Sequence, residues 1–577
     1  MPLLSKRVVA ICYPHLSLGY ASPMISNSDL SLAEPRSKRA RLFQILVLGG
    51  IFHLATLAPP AWSQSASPAP AMDAATTAVR LRLAGEGDLK IRGESLDRQA
   101  LSKAYGARDF KLIWDSRPEA AHTLASVLAE TDGHGINPAV FHAAAIASAI
   151  ADPLADVTDR DLLVTDGFLR YASAMGAGRA DPKSLDPDWA LPAPVIDPQA
   201  MLVAAITGQD IAGALAAIPP KAPEYQRLRD ALKRYRALQE AGGWNKIVAD
   251  ATLKKGDGGE VIRQLRQRLA AEGYSLASTD SDQFDDDLDK AIRVFQSRNG
   301  IVLDGQVGKG TLAALNVSAA DRVAQIRVNL ERWRGTPREL PARRIVVNVP
   351  SASLVAYDND LPALTMRVVV GAKDHPTPAF RGRISSVLYN PPWNVPYSIA
   401  QKEIYPKVRA DPNYLAKNHY ILRDRADDPY GKEVDWRRSG ASSIGRVQQL
   451  PGPDNALGQV KFEIFNSFDV YLHDTPSRFF GRAIRALSHG CVRVEHPKDL
   501  ALFVLGGQTG GTVEDIAQGI ASGETKRVGL AKPVAVYLFY WTTFVDEDGT
   551  IEFREDLYGR DRKLLTVMDR RPRRDQA

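Results

Sequence analysis

The sequence predicts a multidomain α+β chain: a mainly helical scaffold, a small three-helix unit, and a mostly β domain that carries a capping insertion. Three observations carry that reading. Residues 80 to about 250 are rich in Ala and Leu at helical spacing, as at Leu124, Val127 and Leu128. Residues 253–316 repeat the helical period in three short segments separated by glycine turns. From Arg344 onward the texture changes to short β-branched runs divided by Pro, Asp and Asn.

The chain has 577 residues, enough for about four domains. Its 45% hydrophobic content excludes a wholly disordered polymer. Two cysteines, Cys12 and Cys491, exclude a disulfide scaffold and a cluster of cysteine metal ligands. The net charge of +6 raises the question of a nucleic-acid partner, and its distribution answers it. Lys6, Arg7, Arg36, Lys38, Arg39 and Arg41 stand against only Asp29 and Glu34 in residues 1–63. Arg570, Arg571, Arg573 and Arg574 crowd the other end, which leaves the body near neutrality and points to no nucleic acid.

Residues 1–63 read as an export signal. A basic stretch precedes an apolar run at 42–58, and Ala61-Trp62-Ser63 supplies small residues at a cleavage site. A retained inner-membrane anchor is the alternative, and Met24 is an alternative start. Either reading exports the rest of the chain. Cleavage would discard Cys12 and leave Cys491 as the one thiol of an exported protein. Residues 64–79, rich in Ala, Ser and Pro, read as a linker.

The helical scaffold spans 80–250. His134, in Gly133-His134-Gly135, is read as a turn residue, and Asp-Pro pairs mark further turns. In the three-helix unit, Gly256-Asp257-Gly258-Gly259 leads into Val261, Ile262, Leu265 and Leu269 on one helix face. Leu288, Ala291, Ile292 and Phe295 repeat that spacing, and Thr311, Leu312 and Leu315 mark a third helix. The β domain is placed at 343–545. Its strand signals lapse between about 400 and 446 in a charged, Tyr- and Pro-containing stretch, read as a long inserted lid. Residues 546–577 read as a C-terminal extension with a basic tail.

The chemistry is concentrated at Ser488-His489-Gly490-Cys491-Val492-Arg493. A cysteine nucleophile needs a base, or cations that lower its pKa from about 8.5. His489 is adjacent in sequence, but residues two apart need not aim their side chains together. His473, at the end of a predicted strand, can approach the sulfur from a neighbouring strand and is preferred as the base. Gly490 allows close backbone approach, and the Cys491 amide is a natural oxyanion donor. Arg493 is suited to a substrate carboxylate. His496, before Pro497, reads as a helix-opening residue. A zinc site built from His473, His489 and Cys491 is the rival chemistry.

The segments YLHDT and SHGCVRVE resemble the catalytic signature of the YkuD-type L,D-transpeptidase family. QQLPGPDNALGQVKFEI, YNPPWNVP and FREDLYGRD resemble its large periplasmic YcbB-like members. LKKGDGGEVIRQLRQRL and AIRVFQSRNGIVLDGQVGKGTLAALN resemble a peptidoglycan-binding domain, for which a plain packing module is the alternative. The resemblance implies Cys491 as nucleophile, His473 as base, His489 and Gly490 shaping the site, and Arg493 on substrate. Asp474 and Ser488 both remain open as the group that orients His473. Ser488, Tyr471, Trp393 and Tyr397 are expected on the substrate side, Tyr471 near the oxyanion; Trp393 and Tyr397 read equally well as core aromatics.

The implied reaction needs no cofactor. A tetrapeptide stem of peptidoglycan acylates the cysteine and releases D-alanine, and the meso-diaminopimelate amine of a second stem resolves it as a 3–3 cross-link. Water or a protein lysine as acceptor would instead give carboxypeptidase activity or lipoprotein attachment. Carbapenems are expected to acylate the same thiol. A non-catalytic murein-binding scaffold is the alternative of another class.

Overall fold

The structure, a computed structural model, describes residues 73–437, 444–476 and 479–570. The expected leader, Cys12 and most of the linker lie outside the described residues, as does most of the basic tail. No helix among the described residues is long and apolar enough to cross a membrane.

The helical region is organised around α1 (Val157–Ala177), which is buried along most of its length. It starts where the Asp156 side chain accepts the Asp159 amide, and it ends at Gly178. Its polar residues are satisfied: Asp161 accepts the amides of Ile113, Trp114 and Asp115, and Asp166 meets His142 and Arg170. His134 is more than a turn residue, since its Nδ1 lies 2.9 Å from the Tyr225 hydroxyl on α2 (Pro223–Glu240).

In the three-helix unit, α3 (Glu260–Ala271), α4 (Asp286–Arg298) and α5 (Lys309–Leu315) enclose Ile262, Leu265, Leu269, Leu288, Ile292, Phe295 and Leu315. These are the positions at which the sequence places the apolar faces. The long helix α6 (Ala319–Arg334) follows and packs on α2.

The β domain comprises β1 (Arg344–Asn348), β2 (Ser353–Asp358), β3 (Leu361–Gly371), β4 (Ala379–Tyr389), β5 (Val460–Ile464), β6 (Leu472–His473), β7 (Ala486–Ser488), β8 (Val492–Val494) and β9 (Lys526–Phe539). The order β5-β6-β8-β3-β2-β1-β9-β4 returns to its start because β4 also pairs with β5, so the sheet closes on itself. Closure leaves no free edge along this circuit. β7 pairs with β3 beside it. Val347, Leu354, Val368, Val370, Val387, Phe462, Leu472, Val492, Val494, Val536 and Leu538 fill the core, with Leu500, Ala501 and Leu505 of α7 (Pro497–Leu505). A capping box of Thr512 and Asp515 starts α8 (Val513–Ala521).

Two features differ from the sequence reading. The stretch expected as a long lid loop is a folded subdomain. It has a small sheet of Trp393–Asn394, Val447–Gln449 and Tyr420–Leu422, and its own core including Ile404, Tyr405, Leu415, Leu422 and Val447. Its helices are too short to show a clear period, so the sequence looks irregular there. The C-terminal stretch is integral as well. Ile551–Phe553 pairs with Thr543–Val545, and α9 (Arg560–Asp569) packs Leu564 and Met568 against Val328 of α6. The scaffold also reaches the β domain, where Trp189–Ala190 runs parallel to the start of β4.

Candidate active site

The site is built on β6 and β8, adjacent and parallel, with Leu472 opposite Val492 and His473 opposite Arg493. Side chains alternate across a sheet, so the fully buried Leu472 and Val492 point into the core. The residues flanking them, 471 and 473 on one strand and 491 and 493 on the other, therefore share the opposite face. Lys461 joins that face from β5, where it pairs with His473.

His473 is 5% exposed. Its Nδ1 lies 2.5 Å from the backbone carbonyl of Asp474. A carbonyl only accepts, so Nδ1 carries the proton and Nε2 keeps its lone pair. Burial first, then the positive charges of Arg493 and Lys461, bring the imidazole pKa down to about 3. The orienting group is thus a main-chain oxygen. The Asp474 carboxylate turns elsewhere, to the amides of Gln459 and Thr475 at 2.8 and 2.7 Å.

Cys491 is partly buried, its sulfur 3.8 Å from the Asp469 carbonyl. Tyr471, through its amide and its hydroxyl, favours the thiolate, and Trp393 in turn acts on that hydroxyl. Cationic neighbours suggest a lowered thiol pKa, but the structure gives the opposite balance. Burial pushes the thiol up, outweighing Tyr471, Lys461 and Arg493. The resting pair is a neutral thiol and a neutral imidazole.

The turn before Cys491 has its own supports. Gly490 adopts φ +110°, a conformation that L side chains rarely take. A Cβ there would meet only the carbonyl oxygens of Pro376 and His375, at 3.7 and 3.9 Å, so conformation and not space calls for glycine. Ser488 Oγ accepts the Gly490 amide at 3.2 Å and gives its only proton to the Cys491 carbonyl at 2.5 Å. Ser488 is therefore spent on the turn and not on His473.

The remaining expected residues divide. Arg493 is largely enclosed, and its Nε is buried with no hydrogen-bond partner among the described residues. His489 faces away toward the cap: its Nε2 is 2.6 Å from Glu403 Oε1, and its ring centroid is 4.8 Å from that of His375. The two histidines and the cysteine do not converge as a zinc site would require. Among the described residues no group of three or more His, Cys, Asp or Glu is placed to hold a metal. Trp393 reaches the site through Tyr471, whereas Tyr397, 49% exposed, sits where the cap's first helical turn begins.

Lys461 is the residue the sequence reading missed. Its ammonium lies 4.1 Å from the centroid of the Tyr471 ring, and burial lowers its pKa. The signal was present in the alternation Val460-Lys461-Phe462-Glu463-Ile464, which puts Lys461 on the non-core face.

A closed β sheet with a thiol and imidazole on neighbouring strands, under a folded cap and beside a helical scaffold, defines a multidomain chain with its chemistry in the C-terminal half. Comparison with known proteins names the parts. Residues 342–518 match the family described as "L,D-transpeptidase catalytic domain", residues 99–232 the "Scaffold domain", and residues 258–315 the "Putative peptidoglycan binding domain". The β domain is therefore similar to the YkuD L,D-transpeptidase catalytic domain, and the chain combines that match with the other two. A Haemophilus influenzae protein named "Putative L,D-transpeptidase" is 39% identical over 225 residues, covering 38% of this chain and 45% of that protein. The match thus spans less than half of that relative. Among solved structures, the L,D-transpeptidase of Xylanimonas cellulosilytica aligns at 15% identity, covering 51% of this chain and 99% of that one, with a TM-score of 0.17. That of Stackebrandtia nassauensis aligns at 14% identity, covering 51% and 96%, with a TM-score of 0.21.

Proposed function

We propose that this chain is an exported, periplasmic peptidoglycan L,D-transpeptidase that works through an acyl-enzyme on Cys491. The observation that carries the reading is the shared face of β6 and β8, with Tyr471 and His473 beside Cys491 and Arg493. Both reacting groups rest neutral, so the proton leaves the thiol as the sulfur attacks. His473 Nε2 takes that proton while the sulfur adds to the carbonyl preceding the terminal D-alanine of a tetrapeptide stem. The Cys491 amide receives the developing oxyanion. Collapse breaks the peptide bond, and His473 returns the proton to the departing D-alanine amine. The meso-diaminopimelate amine of a second stem then attacks the thioester and gives a proton to His473 Nε2. The carbon–sulfur bond breaks, the proton returns to the Cys491 sulfur, and the new amide is a 3–3 cross-link.

Arg493, whose buried Nε has no hydrogen-bond partner among the described residues, is suited to a substrate carboxylate. The three-helix unit would hold the enzyme on the polymer and raise the local concentration of stems. Carbapenems would acylate Cys491 by the same attack. The test is incubation with tetrapeptide muropeptides and mass analysis of the products. A 3–3 dimer with release of D-alanine is expected, and C491A should give none. Accumulation of tripeptide without dimer would make water the acceptor and overturn the transferase reading. Activity in C491A would overturn the mechanism.

A further inference from the structure

The Gly490–Cys491 peptide is clamped from outside the nucleophile motif. The Gly490 carbonyl accepts a hydrogen bond from Thr377 Oγ1 at 2.8 Å. Thr377 is fully buried, and the same oxygen accepts the Gly371 amide at 2.8 Å. The Thr377 amide donates to the Tyr558 hydroxyl at 3.2 Å, and that hydroxyl donates to the Gly371 carbonyl at 2.7 Å. Tyr558 is held in turn: its amide donates to the Tyr540 hydroxyl at 2.9 Å, and Tyr540 donates to Asp556 at 2.8 Å. Each hydroxyl has one proton, and each is committed. The C-terminal segment thereby reaches the back of the nucleophile turn through a closed set of bonds among Gly371, Thr377 and Tyr558.

We infer that Thr377, backed by Tyr558, is a positioning residue that aims the Cys491 amide at the oxyanion. The inference rests on the acyl-enzyme reading above. In a planar trans peptide the carbonyl of one residue and the N–H of the next point in opposite directions, so holding the Gly490 carbonyl sets the direction of the Cys491 N–H. The clamp acts where it is needed, because Gly490 has no side chain and the widest backbone freedom. Ser488 fixes the neighbouring peptides on either side but does not touch the Gly490 carbonyl.

The experiment compares two reactions of Cys491 in the full chain. Acylation by a carbapenem, followed by intact mass, develops an oxyanion. Alkylation by iodoacetamide displaces iodide at a saturated carbon and develops none. T377V should slow acylation by roughly 10- to 100-fold, within the cost of a lost oxyanion donor. T377S, which keeps the hydroxyl, should stay close to wild type, and Y558F should slow acylation less than T377V. Alkylation should be unchanged in all three. Equal loss of both reactions in T377V and Y558F would mean that the bonds merely support the fold, and would overturn the inference. Unchanged acylation in T377V, with a wild type that acylates normally, would overturn the clamp alone. A wild type that is alkylated but never acylated would overturn the acyl-enzyme reading and the clamp with it.

Discussion

His473 and Arg493 stand opposite one another on adjacent parallel strands, and the guanidinium reinforces burial in keeping the imidazole uncharged. A base held near pKa 3 stays available over the whole neutral and mildly acidic range. Single-turnover acylation of Cys491 should therefore be flat between pH 5 and pH 7. A profile that falls with a midpoint near the ordinary histidine value of 6.5 would contradict the neutral resting pair.

The same depressed value makes a prediction for stability. Below pH 6.5 the unfolded chain protonates this histidine, while the native state refuses the proton until about pH 3. The unfolded state then binds more protons, so the contribution is full above 6.5 and is lost as the pH falls toward 3. Urea titrations between pH 7 and pH 4 should show H473Q losing less stability than wild type, with a difference in proton uptake on unfolding of about one. Equal slopes would show that His473 titrates normally in the folded protein.

Lys461 favours the Cys491 thiolate and lies over the Tyr471 ring that supports the sulfur. K461M should move the midpoint of iodoacetamide alkylation to higher pH by about one pH unit, and K461R should restore it, since only the charge is at issue. Burial opposes the thiolate, so the wild-type midpoint should itself lie above that of an exposed cysteine. A K461M profile that overlays the wild type would remove Lys461 from the site.

Much of this was legible in the residues, for identifiable reasons. Strands such as β1 and β8 are short, β-branched and bounded by turn residues, and the nucleophile motif is contiguous. Other features depended on relations that no local pattern records. The group orienting His473 is the main-chain oxygen of Asp474, which every residue type would offer. The first half of β9 is exposed and carries Lys526, Arg527 and Lys532, so it lacks the apolar signal of the second half. Thr377 meets Gly490 across 113 positions of sequence. The thiol's raised pKa follows from burial, which a list of neighbouring charges does not contain.

Gly490 should tolerate no side chain, and the reason is conformational. At φ +110° an L residue is strained, while the nearest contacts of an added Cβ are ordinary. G490A should cost about 1–3 kcal/mol in a urea titration and slow acylation as the turn relaxes toward negative φ. A G490A protein with native stability and native acylation would show that the turn does not require this conformation.

The cap touches the nucleophile turn through Glu403 and His489, whose Oε1 and Nε2 are 2.6 Å apart. The carboxylate only accepts, so Nε2 donates, and the bond joins one turn of the cap to the residue two positions before the nucleophile. Both side chains are more than a third exposed, so the pair should add little to global stability. Its effect should fall on the cap's position over bound substrate. E403Q and H489N should each raise the KM for the donor peptide several-fold while leaving kcat within about twofold and the melting temperature unchanged. Because the two side chains act through one bond, the double variant should be no worse than either single one. Additive losses in KM would mean that Glu403 and His489 serve the substrate separately, and that the cap is held closed by something else.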